Sequence, residues 1–296
     1  MNKNMKRGFS IRIFLPEGKS DGLKIVEKSN WSGRGVVCPR SLFVENKKRA
    51  EFERTGVYVL VGPSEAGDIP VIYVGEGDPV KKRLESHYAA KDFWTTVVFF
   101  VSKDENLNKA HIQYLECRLI SLAQEAKRAV LDNGNVPVLP SMSEMDIADA
   151  EGFLDEVLLC LPVLGVNVFM KPAVSGHHGQ LHLKGKDADA VGNETADGFV
   201  VRVGGKARID EVDSIHKYIT ALRKSLVERK ILVPEGAQYR LTQDYIFNSP
   251  SQAAATMMGR SANGRLEWKD ARGISLKEIQ GRIAGEIESR EILIDQ

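Results

Sequence analysis

Five polar side chains stand close together in the first half of the sequence: Tyr58, Tyr73, Arg83, His87 and Glu116. A single carboxylate can hold Mg²⁺ or Mn²⁺ and leave most coordination positions to water and phosphate oxygens. A guanidinium offers two parallel donors to the charge that develops on a phosphate. A phenol, with a free pKa of about 10, needs nearby positive charge to act as a base, and an imidazole can relay its proton. Together these side chains predict metal-dependent hydrolysis of a phosphodiester.

The secondary structure predicted around these residues would bring them together. Two β-branched runs, 57–61 and 71–74, are separated by a turn-rich segment and predict paired strands that each carry a tyrosine. Asp78 is a suitable N-cap with Pro79 at the first helical position, which predicts a helix ending near Tyr88. Residues four apart share a helix face, so the arginine and the histidine should point the same way.

Two further elements complete this predicted unit. A third strand is predicted over 95–101, and the apolar residues after Asn108 recur at three- and four-residue steps. That spacing predicts a long amphipathic helix with Glu116 at the margin of its buried stripe. A carboxylate at a core margin is costly unless it is paired or binds a metal. Each residue alone also fits an ordinary role in an aromatic pair or on a solvated helix face, but the combination favours an active site.

At these positions the chain resembles the GIY-YIG endonuclease family. Gly56-Val57-Tyr58 corresponds to the first motif of the family and Tyr73-Val74-Gly75 to the second, with valine in place of both isoleucines. The helix arginine of the family matches Arg83, its following histidine or tyrosine matches His87, and its metal-binding glutamate matches Glu116. The resemblance implies an α/β (α+β) domain, with a three-stranded antiparallel sheet flanked by helices, that cuts DNA with one Mg²⁺ or Mn²⁺.

The resemblance leaves two assignments open. Either Tyr58 or Tyr73 can be the general base. The asparagine that the family carries near the end of the domain has two candidates, Asn133 and Asn135, both somewhat farther from Glu116 than the family spacing.

The sequence predicts four segments. Ser143 is a suitable cap for an acidic helix that follows the nuclease segment and would act as a linker. The predicted segments are a basic N-terminal β module over 1–54, the nuclease domain over 55–140, the acidic linker helix over 141–165, and a C-terminal α+β domain over 166–296 with its core at 199–280.

Basic charge is concentrated at the start of the chain. The first 50 residues contain twelve Lys or Arg and four acids, a net +8, whereas the whole chain carries only +1. Such a block either docks on a phosphate backbone or forms a solvated basic arm, and charge alone does not separate the two. Candidate nucleic-acid contacts near the predicted site are Lys47, Lys48, Arg49, Lys81 and Lys82.

The C-terminal segment resembles a domain of unknown function that GIY-YIG proteins of bacteria often carry. The resemblance rests on 247–255, which contains Ser249-Pro250-Ser251, and on 259–264 with the following Trp268-Lys269. These residues either only start a helix and make a hairpin, or form a nucleic-acid surface with the tryptophan as a stacking platform. The contacts proposed for that surface are Arg260, Asn263, Arg265 and Lys269.

These observations predict a DNA endonuclease, with duplex DNA as substrate and a role in restriction or anti-phage defence. Two alternatives remain open: a ribonuclease, or a catalytically silent nucleic-acid-binding subunit of a larger complex. The C-terminal domain is a candidate site for a protein partner. No stretch approaches the roughly 18 apolar residues that cross a bilayer, and the three cysteines lack disulfide or zinc spacing, so the predicted location is the cytoplasm without membrane contact.

Overall fold

The computed structural model describes residues 8–63, 69–104, 106–135, 137–170 and 179–282. The chain divides into two units, Met1–Lys171 and Pro172–Gln296. Each unit combines helices with a β-sheet, which confirms the predicted α+β class. Among the described residues, no helix has both the length and the apolar character needed to cross a membrane.

Within the described residues, the first unit is built on one seven-stranded sheet in the order β1-β2-β3-β6-β4-β5-β7. Its strands are β1 Ile11–Phe14, β2 Lys24–Lys28, β3 Gly33–Pro39, β4 Gly56–Gly62, β5 Val71–Gly77, β6 Thr96–Ser102 and β7 Val130–Leu131. Its helices are α1 Phe43–Asn46, α2 Val80–Ala90, α3 Lys109–Ala126 and α4 Glu144–Val163. Neighbouring strands are antiparallel except for β5 and β7, which are parallel.

Both faces of the central strands are buried, which explains their continuous β-branched and aromatic composition. Val59 and Val74 belong to the core that includes apolar residues of α3 and α4. Leu60 and Phe99 belong to a second core on the opposite face, together with Leu84 of α2. The sheet therefore lies between α2 on one side and α3 with α4 on the other.

The first 54 residues, predicted as a separate β module, extend the same sheet. Strand β3 pairs with β6 along its whole length, from Gly33 opposite Ser102 to Pro39 opposite Thr96. Because β6 has two strand edges and β4 occupies only one, the N-terminal hairpins add to the other. The three-stranded sheet implied by the resemblance is thus the centre of a larger one.

Helix α4, predicted as a linker, is part of the first unit. Its apolar face is buried in the core, as Leu154 and Val157 show. Two of its acids have basic partners: Lys28 lies 2.9 Å from a carboxylate oxygen of Glu156, and Arg118 lies 2.5 Å from one of Glu151. The boundaries predicted near 54 and 141 therefore do not separate units in the structure.

Of two N-caps predicted in the first unit, the structure confirms one and contradicts the other. Ser143 accepts a hydrogen bond from the backbone N–H of Asp146, as predicted for the start of α4. The prediction of Asp78 as N-cap was wrong, because α2 begins one residue later, with Pro79 at the N-cap and no side-chain cap. The Asp78 carboxylate instead accepts from the Thr55 hydroxyl at 2.6 Å.

The second unit has its own sheet in the order β12-β13-β11-β9-β10-β14, with β8 pairing to β9. Its strands are β8 Leu181–Gly185, β9 Ala188–Thr195, β10 Gly198–Val201, β11 Lys206–Arg208, β12 Leu232–Glu235, β13 Gln238–Leu241 and β14 Tyr245–Phe247. Its helices are α5 Lys217–Glu228, α6 Pro250–Met258 and α7 Gly264–Glu267. Helix α6 packs against the sheet through small and flexible side chains, including Ala253, Ala254 and Met257.

Candidate active site

The site is built around the second half of β5. Strand β7 pairs with β5 only at Val71 and Ile72. Beyond that point the side chain of Asn133 continues the pairing, since its Oδ1 accepts from the N–H of Val74 at 3.0 Å and its Nδ2 donates to the Val74 carbonyl at 2.7 Å. The amide therefore acts as one more strand residue and holds the Tyr73-Val74-Gly75 backbone in place.

Close packing requires glycine at two motif positions, Gly56 and Gly75. Gly75 is paired with Tyr58 across β4 and β5, and a Cβ at Gly75 would lie 2.3 Å from the Tyr58 hydroxyl oxygen. A Cβ at Gly56 would lie 2.2 Å from the carbonyl oxygen of Phe100. Any side chain at these positions would displace the phenol or the neighbouring strand.

Tyr58 is fully buried at the centre of the site. Its hydroxyl is hydrogen bonded to Nε2 of His87 at 2.7 Å, and the positive charge of Arg83 acts on it. With the His87 tautomer that carries its hydrogen on Nδ1, the hydroxyl donates its proton to Nε2. Burial, reinforced by Tyr73, raises the pKa of Tyr58 well above its usual value. The phenol is therefore protonated at neutral pH.

His87 is neutral at neutral pH. Burial, followed by the charges of Arg83 and Lys91, lowers its pKa to about 4. Its ring centroid lies 4.6 Å from that of Tyr73, and the Tyr73 ring stacks on Tyr58 at 6.3 Å. The structure thus brings together four of the five predicted residues on the α2 side of β5.

Glu116 approaches from α3, on the other side of the strand. Its carboxyl is partly buried and its pKa is raised to about 7, mainly by burial and then by the charge of Glu76, while Arg83 and Lys109 oppose the shift. Glu116 also acts electrostatically on Tyr58. The fifth residue therefore lies within electrostatic reach of the others around the edge of β5.

Sequence reasoning missed Glu76. This residue directly follows Gly75, so its side chain points to the opposite face of β5, toward α3. Its Oε1 lies 2.5 Å from Nζ of Lys109, and its Oε2 is buried without a hydrogen-bond partner. The available signal was an acid at the end of a β-branched strand, immediately after the second motif.

The donors at the site suit a hard cation that keeps much of its water. The described residues contain no group of three or more His, Cys, Asp or Glu placed to hold a metal ion. They do offer the desolvated carboxyl of Glu116 and the orphaned oxygen of Glu76. Mg²⁺ and Mn²⁺ bind through one or two carboxylates with water and phosphate oxygens completing the shell, so these residues fit such an ion.

The raised pKa of Glu116 gives a stability prediction. Its pKa in the folded protein, about 7, exceeds the usual value of 4.5, so its stabilising contribution is complete below the unfolded pKa and is lost as pH rises through 7. At about pH 8 we expect the free energy of unfolding of Glu116→Gln to exceed that of the parent by about 1–2 kcal/mol after solvent screening, and its unfolding temperature to be a few degrees higher. At about pH 4.5 the two proteins should differ little. Thermal unfolding in the presence of a chelator measures this difference at each pH. An equal difference at both pH values would contradict the raised pKa of Glu116.

The predicted basic contacts in the first unit divide into two groups. Three are engaged in ion pairs: Lys47 with Glu85 at 2.8 Å, Arg49 with Glu51 at 3.3 Å and Lys81 with Glu53 at 2.5 Å. Lys48 and Lys82 are exposed, and neither has an ion-pair partner among the described residues. These two are therefore the basic side chains of this set best placed to meet a phosphate.

The predicted stacking role of Trp268 was wrong. The indole is fully buried against Phe199, and its Nε1 donates to the Pro250 carbonyl at 3.0 Å. The hairpin predicted at 263–264 is the start of helix α7 instead, because Asn263 accepts from the N–H of Arg265 and caps that helix.

The residues that resembled a domain of unknown function mostly make contacts within the second unit. The N–H of Gly264 donates to Oγ of Ser251 at 3.0 Å, which joins the start of α7 to α6. Arg260 pairs with Glu267 at 2.7 Å. Arg265 and Lys269 remain exposed. Of the four predicted contacts in this unit, two are thus occupied in holding the fold together and two face solvent.

Comparison with known proteins reaches only the second unit. Residues 181–280 match a domain of unknown function, DUF4357, and the match begins at β8, earlier than the core predicted at 199. No curated protein and no solved structure matches the chain. What the chain is similar to is therefore a domain with no assigned activity, and the candidate active site lies outside the matched residues.

Proposed function

We propose that the first unit is a GIY-YIG type endonuclease that hydrolyses phosphodiester bonds in DNA with Mg²⁺ or Mn²⁺. The observation that supports this most strongly is the cluster of Tyr58, Tyr73, Arg83 and His87 on one side of β5. The charge of Arg83 also acts on the Glu116 carboxyl. Core packing alone does not require a buried hydrogen-bonded phenol, a neutral imidazole and a desolvated carboxyl at one strand edge.

Each residue has a role that follows from its surroundings. Glu116 would hold the divalent cation, which when bound polarises the phosphate and lowers the pKa of its water. Arg83 is exposed at the edge of the site, so its guanidinium can bind a non-bridging phosphate oxygen and stabilise charge in the transition state. Tyr73 forms the more accessible wall of the cluster, because it is only partly buried.

Tyr58 and His87 provide a path for a proton. As the Tyr58 hydroxyl takes a proton from the attacking water, it can pass its own to Nε2 of the neutral His87. The hydroxyl is closed to solvent and lies within the electrostatic influence of Arg83. Movement of Arg83 onto a phosphate would give the attacking water access to the hydroxyl, which couples substrate binding to the base.

Cleavage of plasmid DNA tests the proposal. The full chain should nick and linearise supercoiled DNA in Mg²⁺ or Mn²⁺ and should not do so in EDTA. Matched single- and double-stranded RNA in the same buffers separates a deoxyribonuclease from a ribonuclease. Binding of duplex DNA without cleavage in either metal, at protein in excess over DNA, would overturn the proposal and favour a catalytically silent binding subunit.

The two unpaired lysines should contribute to DNA affinity. We expect Lys48→Ala and Lys82→Ala each to reduce the slope of log affinity against log salt by about 0.9, the value for one phosphate contact on duplex DNA. Lys47→Ala is the matched control, because Lys47 is already paired with Glu85. Fluorescence anisotropy at four salt concentrations measures the slopes. If all three variants keep the parent slope, the DNA does not contact this surface.

A further inference from the structure

Glu76 has features that its ion pair with Lys109 does not explain. Only 16% of the Glu76 side chain is exposed, whereas 53% of Lys109 is. An ion pair with such an exposed partner contributes little to stability. Burying the other carboxylate oxygen without a hydrogen bond is unfavourable, because a charged acceptor loses its water. The position of Glu76 therefore has a cost that the visible contacts do not offset.

The surroundings of Glu76 point to a shared cation. Glu76 pairs with Lys109 at 2.5 Å, and Lys109 lies two turns before Glu116 on the same face of α3, so both carboxylates lie along one side of that helix. The charge of Glu76 accordingly acts on the Glu116 carboxyl. Two neighbouring carboxylates repel each other, and burial increases the repulsion. A lysine ammonium relieves it only partly, whereas a divalent cation bound between the carboxylates would relieve it and use the orphaned oxygen.

We propose that Glu76 is a second carboxylate ligand of the divalent cation held by Glu116, and that Lys109 is the counter-ion that the cation displaces from Glu76. This inference rests on the proposed function and goes further, because the resemblance to the nuclease family supplied only Glu116 as a ligand. A second negative ligand raises affinity for the cation, so the site would be loaded at lower metal concentration than a site with one carboxylate.

Binding of Mn²⁺ to the full chain, without DNA, tests the inference independently of cleavage. Electron paramagnetic resonance of free Mn²⁺ gives the dissociation constant. We expect Glu116→Gln and Glu76→Gln each to weaken binding about tenfold or more. Glu53→Gln is the matched control, since Glu53 pairs with Lys81 in the same unit and should leave the constant unchanged.

Lys109→Met distinguishes a ligand from a distant charge. If Lys109 competes with the cation for Glu76, its removal should tighten Mn²⁺ binding several-fold in the parent and lose most of that effect in the Glu76→Gln background. Unchanged Mn²⁺ affinity in Glu76→Gln, with weakened binding in Glu116→Gln, would overturn the role of Glu76 and leave the proposed function intact. Absence of Mn²⁺ binding by the parent at millimolar metal would overturn both the inference and the metal-dependent site.

Discussion

Glu116→Gln is expected to reduce plasmid cleavage by about a thousandfold or more, and Arg83→Ala by a similar factor. Glutamine keeps the size of the side chain but removes the charge that holds the cation. Alanine removes the guanidinium donors that stabilise the phosphate in the transition state, an effect typically worth about 10²–10³ or more in rate. Single-turnover nicking at saturating DNA measures the chemical step apart from binding.

Two controls keep this result specific. Glu125→Gln removes an exposed acid from the same helix and should cut at the parent rate. DNA binding by Glu116→Gln and Arg83→Ala should stay close to that of the parent, because most affinity comes from other phosphate contacts. Residual cleavage within about tenfold of the parent for Glu116→Gln, roughly 1.4 kcal/mol of barrier, would remove Glu116 as the metal ligand.

The central elements of the first unit were predictable because their signals are local. The β-branched runs on both sides of a turn-rich segment became β4 and β5, paired from Gly56 with Gly77 to Gly62 with Val71. The spacing of apolar residues after Asn108 gave α3, and Asn108 caps it. Period and capping are properties of neighbouring residues, so a single sequence carries them.

Pairing between distant strands was not predictable in the same way. Nothing local in 33–39 indicates that this strand joins β6, more than sixty residues later, because any strand edge of suitable composition can accept it. The same holds for α4, whose acids alone suggested a solvated linker. Only the tertiary packing shows that Glu151 and Glu156 pair with basic residues of the same unit.

Residue chemistry at the site was predictable by type, but its environment was not. From the sequence, a catalytic tyrosine was expected to need nearby positive charge that lowers its pKa, yet burial dominates at Tyr58 and raises the pKa. The Tyr58 and His87 contact therefore favours, for the proposed nuclease, a relay through a neutral imidazole over a phenolate base. Glu76 was not predicted as a site residue because the burial of its carboxylate oxygen depends on tertiary packing, which the sequence does not show.

Tyr58→Phe and His87→Ala are each expected to slow cleavage by about a hundredfold or more, and the double variant should be little slower than either single one. In the proposed relay both residues serve one proton transfer, so removal of either breaks the same path. Tyr73→Phe should lose less than about tenfold, because its ring packs against His87 but the relay uses the hydroxyl of Tyr58.

The tyrosine comparison has a structural control, because Tyr58→Phe leaves Nε2 of the buried His87 without its partner. That loss should lower the free energy of unfolding by about 1–3 kcal/mol, so the rates must be compared below the unfolding transition of each variant. The relay requires Tyr58 and His87 to be non-additive in rate, whereas packing defects at separate sites would add. Additive losses, or a larger loss in Tyr73→Phe than in Tyr58→Phe, would move the general base to Tyr73 and leave Tyr58 as a positioning residue for His87.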